Sequence, residues 1–172
     1  GENDGLKKDI KEFIRITVKQ KNSDTEFLTL YENEINDNEE NFYNNIYSGS
    51  LFSSKKIITI NDGTDKIIKQ IEDVSDKCPA NVFIIILSDV LEKKSKLRNF
   101  FEVNTKTLCV PCYPDNDRDL EIIAKLELKK NDIILSKESI NLLIEKSNFS
   151  RNNLKNEIAK IQSYALYKKK IG

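Results

Sequence analysis

The chain has 172 residues, which suits one domain or two small ones and is long enough to bury a core. Its 28 basic and 28 acidic residues give a formal net charge of zero, so no general affinity for nucleic acid is predicted. It contains no histidine, which excludes histidine-based acid–base catalysis within the chain, and no methionine, so we expect it to be part of a longer protein. Three cysteines without a dense framework indicate a reducing compartment, and a cytoplasmic protein is predicted.

The first 113 residues predict alternating helices and strands. The chain opens with a helix whose apolar residues share one face: Leu6, Ile10, Phe13, Ile14 and Val18. Strands are predicted at Thr25–Tyr31, Lys56–Ile60, Val82–Leu87 and Thr107–Val110, and helices at Glu39–Tyr47, Asp65–Val74 and Lys93–Glu102. Val82–Leu87 is continuously apolar and too short to span a membrane, which is typical of a strand buried on both faces. The alternation predicts a parallel sheet with flanking helices.

After a turn rich in Pro, Asn and Asp, only helices are predicted. One covers Asp119–Lys130, and two more begin after the N-cap residues Ser136 and Ser150. The predicted fold class is therefore α/β, with an AAA+-like (P-loop NTPase-like) parallel sheet followed by a small all-helical, lid-like domain. The expected domains are residues 1–115 and 116–172.

The first turn of the chain is a degenerate version of a phosphate-binding loop. Gly1, Gly5 and Lys7 stand where a G-x-x-x-x-G-K-[ST] motif would begin a helix, but the motif needs glycine at Leu6 and a hydroxyl at Lys8. An ATPase also needs a carboxylate pair after a strand, where this chain has Asn61. These positions are not expected to bind nucleotide, although a divergent P-loop NTPase remains an alternative.

No other motif predicts catalysis. Cys109 and Cys112 form a C-x-x-C, but zinc would need four ligands and only Cys78 remains, so we expect buried strand cysteines. The basic runs 93–98 and 168–170 lack interleaved aromatic residues and are interpreted as solvated faces. The absence of a nucleophile with a base favours an interaction role, with no cofactor and no metal.

The segment SGSLFSSKKIITIND, residues 48–62, raises a separate question. Leu51 and Phe52 lie between small polar residues, including Ser50 and Ser53, directly before a predicted strand. Spacing alone leaves two possibilities open. The two apolar side chains pack into the core of their own domain, or they are held out for a partner.

These features together resemble the delta-subunit family of bacterial DNA polymerase III, part of the sliding-clamp loader. The opening residues 1–8 are similar to the family's degenerate phosphate loop, and residues 48–62 are similar to its clamp-binding segment. NVFIIILSD followed by a lysine-rich helix, and SRNNLKNEIAKIQSYA, are similar to later family segments. The resemblance covers essentially the whole chain.

The resemblance implies a subunit of a nucleotidyltransferase complex that has no catalysis of its own. Ser50, Leu51, Phe52 and Ser53 would bind the sliding clamp (beta subunit), with the Leu-Phe pair in a hydrophobic pocket, and would help open the clamp interface. Other clamp-loader subunits and primed DNA are the further expected partners. The family's first strand and its collar domain are expected to lie outside this chain. A non-catalytic α/β adaptor with another partner remains the second alternative.

Overall fold

The computed structural model describes residues 1–49 and 53–169. The chain divides into two compact units. The first contains Gly1–Glu2 and Lys7–Pro111, and the second contains Asn3–Leu6 and Cys112–Gly172. The domain boundary expected after residue 115 stays a prediction.

The helices and strands follow the predicted order except that one short helix, Glu32–Asp37, is added and the strand predicted at Thr107–Val110 does not form. They are α1 (Asp4–Lys21), β1 (Thr25–Tyr31), α2 (Glu32–Asp37), α3 (Glu39–Tyr47), β2 (Lys55–Asn61), a 3₁₀ turn (Asp65–Ile67), α4 (Ile68–Ser75), β3 (Val82–Ile86), α5 (Lys96–Val103), α6 (Asp117–Lys129), α7 (Lys137–Lys146) and α8 (Arg151–Lys169).

The first unit is built on a parallel sheet in the order β1-β2-β3. Thr25 is opposite Lys55, and Ile57 is opposite Phe83. Because β2 is central, its residues 56–60 are all buried. The predicted fold class, a parallel α/β sheet flanked by helices and followed by a helical part, is confirmed.

Alternation along the strands separates two faces of the sheet. Leu30, Ile58 and Ile60 lie in one hydrophobic core, which also contains Phe42 of α3 and Leu97 of α5. On the opposite face, the guanidinium group of Arg15 in α1 lies 5.0 Å from the ring centroid of Phe27 in β1. Helices therefore cover both faces of this sheet.

Strand β3 is less buried than its sequence predicts. Val82 is 8% exposed, but Phe83 is 47% exposed and the next three residues are half-buried. Within the described sheet β3 is an edge strand with one neighbour, β2. The prediction of burial on both faces is wrong because an apolar run does not reveal which strand lies at an edge.

Three further local predictions are wrong. Residues 107–110 form no strand, since they pair with none of β1–β3, and Leu108 is 81% exposed. The helix predicted from Lys93 begins at Lys96, because Ser95 caps its first turn and the Asp65 carboxylate accepts the Lys96 and Leu97 N–H groups. Phe13, assigned to the apolar face of α1, is 70% exposed.

The second unit contains the helices α6, α7 and α8. Their core residues recur one turn apart, as expected for packed helices: Leu120, Ala124, Leu128, Ile140, Ile144, Leu154 and Ile158. The predicted caps are confirmed, since Ser136 Oγ accepts from Ser139 N at 3.2 Å and Ser150 Oγ accepts from Asn153 N at 3.4 Å.

Candidate functional site

The predicted clamp-binding residues lie in the connection between α3 and β2, called here the plug segment (residues 48–54). Ser50, Leu51 and Phe52 lie outside the described residues, so their predicted role stays a prediction. Ser48 and Gly49 are exposed, and Ser53 is half-buried. The described parts of the structure define how the segment begins and ends.

Helix α3 supports the start of the plug segment. Its residues Phe42 and Ile46 are each 1% exposed and pack in the core of the first unit. The Tyr43 hydroxyl donates to Asp73 Oδ2 of α4 at 3.2 Å, and burial first, then this carboxylate, raises the pKa of Tyr43. Asn38 caps the helix by accepting from Asn41 N at 2.9 Å. Helix α3 is therefore held by the core packing of Phe42 and Ile46, by the hydrogen bond from Tyr43 to α4, and by the cap at its N-terminus.

Two polar contacts lie at the two ends of the plug segment. At its start, the Lys56 ammonium donates to the carbonyl oxygens of Asn45 (2.8 Å) and Ser48 (3.0 Å). At its end, Ser54 N donates to Asp24 Oδ2 at 3.1 Å. The backbone N–H of Asp24 itself, followed by Ser54, lowers the pKa of the Asp24 carboxyl group. Sequence reasoning missed both residues, although a lysine alternating with Ile58 and Ile60 was a visible signal for Lys56.

Gly49 shows no structural requirement for glycine in the part of the chain that the structure describes. A Cβ atom added at this position would meet no described atom within 4 Å, and Gly49 does not have a positive φ. Gly49→Ala is a conservative control for variants of the plug segment.

The residues predicted to form a degenerate phosphate loop fall into both units. In the first unit, the Gly1 nitrogen donates to Ser88 O at 2.8 Å, and the Lys7 ammonium lies 3.1 Å from Asp89 Oδ1. Lys7 therefore contacts the segment that follows β3, where a carboxylate neutralises its charge.

In the second unit, side chains of the protein occupy the N-terminus of α1. Asn3 Oδ1 accepts from Leu6 N at 2.9 Å, and Asn3 Nδ2 donates to Asp115 Oδ2 at 2.9 Å. Arg151 donates to both oxygens of Asp115. A Cβ atom on Gly5 would lie 2.9 Å from Arg151 Cβ, so glycine permits this close approach. Sequence reasoning assigned no role to Asn3, Asp115 or Arg151.

The ion pair between Asp115 and Arg151 is well shielded from solvent. The two side chains are 5% and 13% exposed. Burial acts to raise the pKa of Asp115, but hydrogen bonds from Arg151 and Asn3, with the charge of Arg151, outweigh it and the pKa lies below its ordinary value. The carboxylate is therefore ionised at neutral pH.

The remaining candidates show no catalytic arrangement in the part of the chain that the structure describes. The turn after β2 has Asp62 at φ 59°, and Gly63 N donates to Leu87 O at 3.0 Å. Cys109 is exposed and Cys112 is buried, and neither lies in a strand, so the expectation of buried strand cysteines is wrong. Among residues 1–49 and 53–169, no cluster of three potential metal ligands occurs.

A family model described as DNA polymerase III, delta subunit, matches residues 1–113. The solved structure of the Bacillus subtilis DNA clamp loader delta protein (YqeN) is similar over 95% of this chain, with a TM-score of 0.60 and 11% sequence identity. This chain covers 52% of that protein, so it spans about half of its length. At this identity the likeness shows a shared fold.

No curated protein matches the chain in sequence. In the described residues, no helix is long and apolar enough to cross a membrane.

Replacing Arg151 tests the ion pair at the start of α1. Arg151→Ala should lower the free energy of unfolding by about 3–5 kcal/mol at neutral pH, because the buried Asp115 carboxylate loses its charged partner. The measurement is urea unfolding followed by circular dichroism. Arg118→Ala removes an exposed arginine of the same unit and should change stability by less than about 0.5 kcal/mol.

The pH dependence of this effect has a defined sign. The pKa of Asp115 is lowered in the folded protein, so its stabilisation is complete above the ordinary carboxyl pKa of about 4 and is lost as pH falls through the lowered value. The stability difference between wild type and Arg151→Ala should therefore shrink below about pH 4. A difference that stays constant on acidification would contradict the assignment.

Proposed function

Since the chain belongs to the DNA polymerase III delta-subunit family, we propose that it is the clamp-binding part of a clamp loader. Leu51 and Phe52, with Ser50 and Ser53 beside them, insert into a hydrophobic pocket on the sliding clamp. Binding favours an opened clamp interface, so that the clamp can be loaded onto primed DNA. The chain hydrolyses no ATP and contributes binding energy to a complex whose polymerase chemistry lies in another subunit.

The observation that carries this proposal is the position of the plug segment. It lies within the residues that match the family, between helix α3, which packs on the core through Phe42 and Ile46, and the central strand β2. Phe42 and Ile46 fix the helix, and residues 56–60 of the strand are all buried. A binding element on rigid supports loses little freedom when it binds, which favours affinity.

The two apolar side chains are sufficient for a binding hot spot. A leucine or phenylalanine side chain contributes about 1.5–3 kcal/mol when it is fully buried. Two adjacent side chains in one desolvated pocket would form the centre of an interface. If the chain makes more extensive contacts with an opened clamp than with a closed one, binding shifts the clamp's equilibrium toward the open state. The size of this shift is set by the difference between the two affinities.

The N-terminus of α1 supports the proposal that this chain does not hydrolyse ATP. Phosphate binding at a helix N-terminus uses free backbone N–H groups. Here the Asn3 side chain accepts a hydrogen bond from Leu6 N, and the aliphatic part of the Arg151 side chain lies against Gly5. Lys7 contacts Asp89, and Lys8 stands where a magnesium-binding hydroxyl would be needed.

The wider assembly belongs to the same proposal. The other clamp-loader subunits are further proposed partners, and primed DNA is reached through the complex. The net charge of zero favours protein contacts over a general electrostatic attraction to DNA. We place this function in the cytoplasm, where replication would require it.

Binding to the cognate sliding clamp tests the role of the plug. Leu51→Ser/Phe52→Ser should weaken binding by at least about tenfold, because both apolar contacts are lost. The measurement is surface biosensor binding, with thermal unfolding to verify that the variant is folded. Gly49→Ala should bind like the wild type, because it alters the same segment without removing an apolar contact.

Two results would contradict the plug hypothesis. Absence of binding by wild type would instead favour an adaptor with another partner. Unfolding of the double variant would mean that Leu51 and Phe52 are core residues.

Thermal unfolding with and without ATP-Mg tests the absence of a nucleotide site. We expect no change in Tm. A site filled at a ligand concentration one hundred times its Kd would stabilise the protein by about 2.7 kcal/mol. Such a gain would raise the Tm by several degrees and would favour the divergent P-loop NTPase instead.

A further inference from the structure

We propose that Lys56 and Asp24 are positioning residues that hold the two ends of the plug segment at Ser48 and Ser54. This inference rests on the proposed clamp-binding function and adds two residues that do not themselves need to touch the clamp. Lys56 acts at the start of the segment and Asp24 at its end. Together they fix the places where the chain leaves α3 and enters β2.

Lys56 occupies a position that an apolar residue would ordinarily fill. It lies on the central strand and alternates with Ile58 and Ile60, which belong to the core. Lys56 is nevertheless only 6% exposed. Burying an ammonium group is unfavourable unless polar partners replace the lost water. The groups that contact the Lys56 ammonium therefore indicate the structural role of this lysine.

The partners of Lys56 are one carbonyl group in the last turn of α3 and the first carbonyl group of the plug segment. Its ammonium lies 2.8 Å from Asn45 O and 3.0 Å from Ser48 O. The final carbonyls of a helix have no partner within the helix and carry its negative dipole end. The Glu26 carboxylate, directly opposite Lys56 on β1, lies 3.7 Å away and balances the charge. Lys56 therefore ties the end of α3 to the central strand.

Asp24 performs the same task at the other end. Its carboxylate accepts the N–H of Ser54 at 3.1 Å, one residue before β2 begins. Asp24 precedes Thr25, which is paired with Lys55 in the sheet. The contact thus extends the pairing of β1 and β2 into the plug segment. Because Asp24 is exposed, its contribution should be smaller than that of Lys56.

The neighbouring lysine provides a matched control. Lys55 carries the same charge on the same strand, but its ammonium lies 5.8 Å from the ring centroid of Phe83 in β3. Successive side chains of a strand point to opposite faces, which explains why two adjacent lysines have different surroundings. Lys55→Met and Lys56→Met remove the same group, and Lys56→Met alone removes the two carbonyl contacts described here.

The test measures clamp affinity and amide hydrogen exchange for the same variants. Lys56→Met should weaken clamp binding by about tenfold, because the start of the plug segment is then no longer held at Ser48 O and must be fixed on binding. Without the clamp, it should also accelerate exchange at the amides of residues 48–54. Asp24→Ala should show a smaller change of the same kind. Lys55→Met should match the wild type in both measurements.

The outcomes separate this inference from the proposed function. If Leu51→Ser/Phe52→Ser abolishes binding while Lys56→Met binds and exchanges like the wild type, the positioning role is overturned and the plug is retained. If wild type does not bind the clamp, the proposed function fails, and unchanged exchange in Lys56→Met would overturn the anchoring as well.

If Lys56→Met does not fold, Lys56→Gln replaces it, because glutamine keeps one donor group. Lys56→Gln should then give an exchange rate at residues 48–54 above that of the wild type. A rate in Lys56→Gln equal to that of the wild type would overturn the inference.

Discussion

The burial of strand β2 is the constraint on which the first unit depends. Its residues 56–60 are buried on both faces, and it pairs with β1 on one side and β3 on the other. Ile58 and Ile60 reach the core that contains α3, α4 and α5. The same strand contains Lys56, whose ammonium contacts the end of α3. The central strand thus supports both the fold and the segment proposed to bind the clamp.

Much of the fold could be predicted from periodicity. The strand Thr25–Tyr31 and the helix Glu39–Tyr47 have the predicted bounds, because alternation and helical spacing are local signals. The exposure of Phe83 was missed because it depends on which strand lies at the edge of the sheet. The short helix α2 was missed because six residues give too little periodicity.

The candidate site was predictable in part. The plug segment was predicted from two adjacent apolar residues among small polar ones and stays a prediction, but the sequence does not show what contacts its ends. Asp24 is thirty positions before Ser54, and the pair forms only when β1 and β2 align. Asp115 and Arg151 likewise meet across a long stretch of chain. Contacts of this kind depend on tertiary structure, which a single sequence does not reveal.

Side chains of the protein contact one another at the N-terminus of α1, where the sequence resembles a degenerate phosphate loop. Asn3 caps α1, and the ionised Asp115 joins Asn3 to Arg151. The Leu6 N–H at this helix N-terminus therefore has a partner within the protein. The energy available to a binding protein is the difference in its affinity for two states of a partner. Rigid support of the plug segment is consistent with that use.

Hydrogen–deuterium exchange of the wild-type chain, with and without its sliding clamp, would show directly whether residues 48–54 form the clamp-binding surface. We expect the clamp to protect the amides of residues 48–54 and to leave those of α6, α7 and α8 unchanged. Protection of another surface, with residues 48–54 exchanging as in the free protein, would contradict it.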